Sequence, residues 1–169
     1  KINITDTEIK DFKEIINKIF NNLNAKLKKL VLRDYHVDNL ILQKSKLGLK
    51  QVGILDFQDA VIGSSSYDLI SIIEDVRRPI SKDLKNILIK YFIDLTGYEV
   101  DQLEKELAFY SVQRNLKILG IFSRLKLRDN KPRYMLYNDN AWKYIESNLD
   151  NPNMINLKTW LRKLLPNEK

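Results

Sequence analysis

The chain's 169 residues are the length of one domain, and 44% hydrophobic residues are enough for a sizeable core. Cysteine is absent, which excludes disulfides and thiolate metal sites and is compatible with a reducing, cytoplasmic setting. No apolar run reaches the roughly eighteen residues a membrane span needs, and the +7 formal charge is spread over dispersed lysines without a nucleic-acid-binding motif, so neither membrane nor nucleic acid is expected as a partner.

Residues 6–27 read as one amphipathic helix. Ile9, Phe12, Ile15, Ile16, Ile19, Phe20 and Leu23 recur at three- and four-residue steps, and Thr5 or Asp6 can cap its start. Residues 31–69 follow a different pattern: an apolar dipeptide, a polar loop, an apolar run, a turn with Gly48, and a second apolar run. Val52, Ile54 and Leu55 stand just before Asp56, so two short strands closing a hairpin fit. Gly63 and Ser64-Ser65-Ser66 then break the pattern. Ser65 or Ser66 caps a helix through about residue 77, with Leu69, Ile70, Ile73 and Val76 facing inward and Pro79 beyond its end. Ser81-Lys82-Asp83 opens another helix towards Thr96-Gly97. A long helix begins at Asp101, carrying Leu103, Leu107, Tyr110, Leu116, Leu119 and Phe122, and Asp129-Asn130-Lys131-Pro132 interrupts it. Two more helices are expected over residues 133–148 and 155–165. No repeat or linker divides the chain, so residues 1–169 are read as a single domain.

The chemistry concentrates in the hairpin region. Asp34 and Asn39 are five residues apart across its first loop, and Asp56 returns at the end of the second strand. Phosphoryl transfer needs such a set of oxygens: one carboxylate to orient the attacking hydroxyl and take its proton, and an amide and a second carboxylate to hold Mg²⁺. Each residue also has a plain structural reading. Asp and Asn close turns, and Asp68 lies in a first helical turn where the helix dipole favours a negative charge. His36, the only histidine, fits a loop-packing role better than that of a base. Arg114 and Lys117 fit the solvated flank of an amphipathic helix.

Arg33-Asp34-Tyr35-His36-Val37-Asp38-Asn39 resembles the catalytic loop of protein-kinase-like enzymes, and Asp56-Phe57-Gln58 resembles their metal-binding Asp-Phe-Gly. With Ala60, Gly63 and Asp68-Leu69 following, the pattern is similar to the aminoglycoside phosphotransferase and choline kinase superfamily. That resemblance implies Asp34 as catalytic base, Asn39 and Asp56 as magnesium ligands, and Asp68 as a brace for the catalytic loop. Leu32 in place of the usual His, and Gln58 in place of Gly, depart from the protein-kinase motif. Residues 113–125, with Arg128-Asp129 and Pro132-Arg133-Tyr134, look like one subgroup: bacterial kinases of N-acetylmuramate or N-acetylglucosamine that act at the anomeric hydroxyl. Asp56-Phe57-Gln58-Asp59-Ala60 resembles that subgroup too, and it implies Asp59, Arg114 and Lys117 as substrate-binding residues.

The five glycines are never closer than five residues, so no glycine-rich phosphate-covering loop is present. The resemblance places such a loop, with a phosphate-contacting Lys, in a strand-rich lobe ahead of the catalytic loop; only about thirty residues stand there. The expectation is a mainly helical α+β fold, equivalent to the C-terminal lobe of a protein-kinase-like enzyme, with a short β-hairpin carrying the catalytic and metal-binding loops and the N-terminal nucleotide-binding lobe absent. The implied activity is Mg²⁺-dependent transfer from ATP to a small-molecule hydroxyl, most simply that of an amino sugar. A kinase of an aminoglycoside or choline-like alcohol, or a non-catalytic lobe serving as a binding module, are the alternatives.

Overall fold

A computed structural model describes residues 3–23 and 28–165. Six α-helices and four short strands occur among these residues: α1 (Asp6–Asn22), β1 (Lys28–Val31), β2 (Leu40–Leu42), β3 (Val52–Ile54), β4 (Val61–Ser64), α2 (Ser66–Ile73), α3 (Lys82–Thr96), α4 (Val100–Leu127), α5 (Asn138–Leu149) and α6 (Ile155–Leu164). The fold is mainly helical, as expected, and it carries two antiparallel two-stranded ladders rather than one.

The hairpin pairs β2 with β3, Leu40 opposite Ile54 and Leu42 opposite Val52. A second ladder pairs β1 with β4, from Lys28 opposite Ser64 to Val31 opposite Val61. The hairpin is nested within that outer ladder. The loop with Asp34 and the loop with Asp56 are therefore each pinned at both ends by strand pairing.

The helices begin where the sequence offers caps. Thr5 and Glu8 form a reciprocal capping box, with the Glu8 N–H donating to Thr5 Oγ1 at 3.2 Å and the Thr5 N–H donating to Glu8 Oε2 at 2.8 Å. Residues 24–27, the expected end of the first helix, lie outside the described residues. Ser81 caps α3 by accepting from the Leu84 N–H at 3.2 Å, and Gly97 ends that helix at φ 66°, which costs glycine no Cβ clash. Two expected boundaries move. Helix α2 stops at Ile73 rather than near residue 77 because Glu74 leaves the helical region (φ −128°, ψ 43°). Asp75 Oδ1 then accepts the Arg77 N–H at 3.0 Å, a local alternative to another helical turn. Helix α5 starts at Asn138 rather than residue 133, because Pro132–Tyr137 forms a 3₁₀ segment. That segment sets the rings of Tyr134 and Tyr137 at 5.6 and 6.1 Å from the ring of Phe122.

Helix α4 is the axis of the core, packed against α2 and α5. Ile70 and Ile73 of α2, Leu103 and Val112 of α4, Ile145 and Leu149 of α5, and Leu157 of α6 are all fully buried in one cluster. Two buried carboxylates fasten the loops and α2 to this axis. Glu106 accepts hydrogen bonds from Ser66 Oγ at 2.7 Å, from the Tyr98 hydroxyl at 2.9 Å, and from Ser64. It thereby ties the end of β4 and the start of α2 to α4. Glu74 accepts from Lys85 Nζ at 2.7 Å and from Ser111. Buried polar groups are tolerated when they are hydrogen-bonded in this way.

Candidate active site

The polar loop between β1 and β2 is held from α2. The Asp68 carboxylate accepts the backbone N–H of Leu32 at 2.7 Å through Oδ2 and that of Arg33 at 3.0 Å through Oδ1. Burial pushes the Asp68 carboxyl pKa up, against the two N–H groups that pull it down. Arg33 sits at φ 71°, an uncommon conformation for a residue with a Cβ, and its carbonyl accepts from Ser71 Oγ at 3.3 Å. Asp34, next in the chain, is exposed and lines a cleft.

Asn39 closes the same loop. Its Nδ2 donates to the Asp34 carbonyl at 2.9 Å and lies 3.4 Å from His36 Nε2. With Nδ2 so engaged, Oδ1 is the amide atom that can accept from or coordinate a ligand. His36 is buried, and burial first, then the Arg77 charge, lower its pKa, which favours the neutral ring. The expected packing role fits this placement. The Leu55 N–H donates to the Asn39 carbonyl at 2.9 Å, which brings Asp56 back beside the first loop. Asp56 adopts φ 58°, and its Oδ1 accepts from Gln58 Nε2 at 2.8 Å.

One cleft of about 360 Å³ is lined by Asp34, Asn39 and Asp56 together with Arg114 and Lys117 of α4. Five of the seven residues singled out from the sequence thus meet in one place. Asp68 lies behind the loop. Asp59 stands apart from that lining: it is exposed, and its backbone carbonyl accepts from Arg33 Nη1 at 3.4 Å.

Arg114 is not the solvated flank that its sequence position suggested. It is 4% exposed, donates from Nε to Ser71 Oγ at 2.9 Å, and has its pKa lowered by burial although the charges of Tyr67, Asp75 and Asp34 oppose the shift. Lys117 is half-buried and donates to the Tyr67 hydroxyl at 3.0 Å, between this cleft and a more apolar cavity of about 470 Å³ bounded by β1, β4 and Tyr110. Sequence reasoning missed Asp75, Arg77 and Asp38 on the same cleft. Arg77 Nε reaches Asp75 Oδ1 at 3.2 Å, and Asp38 receives Arg77 at 3.7 Å and Arg78 at 3.0 Å. The only sequence signal was an acidic pair, Glu74-Asp75, directly after an apolar stripe.

The donor set on the Asp34 side is all oxygen: two carboxylates and one amide. Among the described residues, no three His, Cys, Asp or Glu side chains gather into a protein-only metal cage. That suits magnesium, which takes few protein ligands and keeps waters and phosphate oxygens for the rest.

The chain belongs to the phosphotransferase enzyme family, whose profile matches residues 4–110. Among curated proteins it is similar to an N-acetylmuramate/N-acetylglucosamine kinase of Caulobacter vibrioides, 33% identical over 138 residues that cover 80% of this chain and 38% of that protein. A protein of the same name from Neisseria meningitidis is 33% identical over 130 residues, 73% of this chain and 37% of that protein. Another, from Pseudomonas putida, is 31% identical over 142 residues, 79% of this chain and 40% of that protein. The chain spans well under half the length of these relatives.

Proposed function

We propose that the protein containing this chain is a cytoplasmic kinase that transfers the γ-phosphoryl group of ATP to a hydroxyl of an amino sugar, N-acetylmuramate or N-acetylglucosamine. The carrying observation is that Asp34, Asn39, Asp56, Arg77, Arg114 and Lys117 line one cleft. Asp34, exposed on the kinked loop, orients the acceptor hydroxyl and takes its proton. Asn39, fixed through Nδ2, and Asp56, fixed by Gln58, would hold Mg²⁺ through oxygen. Bound there, Mg²⁺ supplies charge neutralisation on the phosphate oxygens. Asp68 keeps Leu32 and Arg33 in the geometry that presents Asp34.

The similarity to relatives named N-acetylmuramate/N-acetylglucosamine kinase is what favours a sugar over an aminoglycoside or a choline-like alcohol as the acceptor. In this reading the described fold is the catalytic lobe. A separate lobe of the same protein covers the nucleotide, since the matched relatives are much longer and this chain holds no glycine-rich loop. The test offers N-acetylmuramate, N-acetylglucosamine, kanamycin and choline side by side to the whole protein with Mg·ATP, following phosphoryl transfer to each. Turnover of either sugar is expected; turnover of kanamycin or choline with neither sugar would overturn the assignment.

A further inference from the structure

Asp75 sits just beyond the end of α2, is 1% exposed, and lines the same cleft as Asp34. Its two oxygens differ. Oδ1 accepts the Arg77 N–H at 3.0 Å and Arg77 Nε at 3.2 Å, which fixes the rotation of the carboxylate. Oδ2 is buried and takes no hydrogen bond. Leaving a buried carboxylate oxygen unpartnered is costly, and native structures rarely tolerate it without a ligand or water at the site.

A second orphan lies on the same cleft. Arg114 spends Nε on Ser71, but its buried Nη1 donates to nothing. Arg114, Asp75 and Asp34 line one cleft, and the charges of both carboxylates act on this guanidinium. Beside the two, Val76, Ile118 and Phe122 supply an apolar wall. The cleft therefore presents a fixed hydrogen-bond acceptor, a fixed donor and an apolar patch, all of them desolvated.

We infer that Asp75 and Arg114 form the subsite that selects the phosphoryl acceptor, an inference that rests on the function proposed above. Asp75 Oδ2, buried and unpartnered, takes a hydroxyl or amide N–H of the acceptor. Arg114 Nη1 takes an oxygen of the same molecule, and the wall takes an apolar substituent such as an acyl methyl. An N-acylated sugar offers all three groups within one ring and its substituent. Asp75 is here a specificity-determining residue, and the proton moves through Asp34 rather than through it. Sites that hydrogen-bond a substrate group with buried polar atoms reject analogues lacking it, because those atoms are then left unpaired.

The test uses the whole protein, wild type against Asp75→Asn, with Mg·ATP and a series of acceptors: N-acetylglucosamine, its 3-deoxy and 4-deoxy analogues, glucose and 2-deoxyglucose. Asn keeps Oδ1 for the Arg77 N–H but turns an amide N–H towards the acceptor's donor. KM for N-acetylglucosamine should rise at least about tenfold, with kcat falling less and KM for ATP unchanged. One analogue should cost the wild type at least about tenfold in kcat/KM and cost Asp75→Asn nothing more, and it identifies the donor. Loss with the 3-deoxy or 4-deoxy sugar marks a ring hydroxyl. Loss with 2-deoxyglucose but not with glucose marks whatever donor stands at that carbon, and loss with both marks the amide. If Asp75→Asn does not fold, Arg114→Lys replaces it: the ammonium still reaches Ser71 but lacks Nη1, and the same rise in acceptor KM is expected. Wild-type protein that phosphorylates none of the sugars would overturn the underlying function. Wild-type turnover with acceptor KM unchanged in the folded variant would overturn this subsite alone.

Discussion

Replacing Asp68 by Asn isolates what holds the Asp34 loop in shape. The two carboxylate oxygens each accept one backbone N–H, Leu32 at 2.7 Å and Arg33 at 3.0 Å. Asn keeps one oxygen and turns an NH₂ group towards the other N–H, so one donor loses its acceptor and faces another donor. An unsatisfied donor costs about 1–3 kcal/mol where it is buried; the Leu32 bond is only part-buried, the Arg33 bond is exposed, and removing the desolvated charge of Asp68 offsets some of the loss, so the low end of that range applies. The stranded N–H belongs to a loop in which Arg33 is already held at φ 71°, so the loop should relax as well as weaken. Urea unfolding of the variant should show a lower midpoint at an unchanged m-value, corresponding to a loss of about 1 kcal/mol. A variant within about 0.5 kcal/mol of wild type, the range of ordinary surface substitutions, would refute the reasoning.

Tyr98 and Tyr110 have phenol pKa values pushed up to about 12, in each case first by burial. The folded state therefore holds these protons more tightly than the unfolded chain, whose tyrosines titrate near about 10. Their stabilising contribution is present below that pH and is lost as pH rises through about 12. Burial raises the Tyr144 pKa as well, so spectrophotometric titration should show three of the eight tyrosines lagging the others, and a single transition near about 10 with the fold intact would contradict their burial. Asp56→Asn in the whole protein should raise the Mg²⁺ concentration needed for half-maximal rate, with partial rescue by Mn²⁺. An unchanged Mg²⁺ dependence would take Asp56 out of the metal site.

What the sequence disclosed were the features written locally. Thr5, Ser81 and Gly97 are capping residues by chemistry, and the helix ends they specify are found where expected. The β2–β3 hairpin joins neighbouring apolar runs and was legible in the same way. The outer ladder was not: β1 is four residues long and its partner lies some thirty residues on, so no periodicity announces the pairing. Asp34, Asn39 and Asp56 were found because their spacing matches a known chemistry. Arg114 was misread as solvated because a cation on an amphipathic helix ordinarily is; only the fold shows the Ser71 hydroxyl that receives its Nε and the burial that surrounds it. Asp75 was missed for a related reason. An acid following an apolar stripe reads as a helix end, which it is, and nothing in the sequence shows that the end opens onto the cleft of Asp34.

The central claim, that this cleft performs phosphoryl transfer with Asp34 as the base, is tested most directly by Asp34→Asn in the whole protein. The substitution preserves the size of the side chain and the backbone carbonyl that orients Asn39, and it removes only the basic group. With saturating Mg·ATP and N-acetylglucosamine or N-acetylmuramate, kcat should fall by about 10²–10⁴ while ATP affinity changes little. Turnover at the wild-type rate by a folded Asp34→Asn variant would contradict the account.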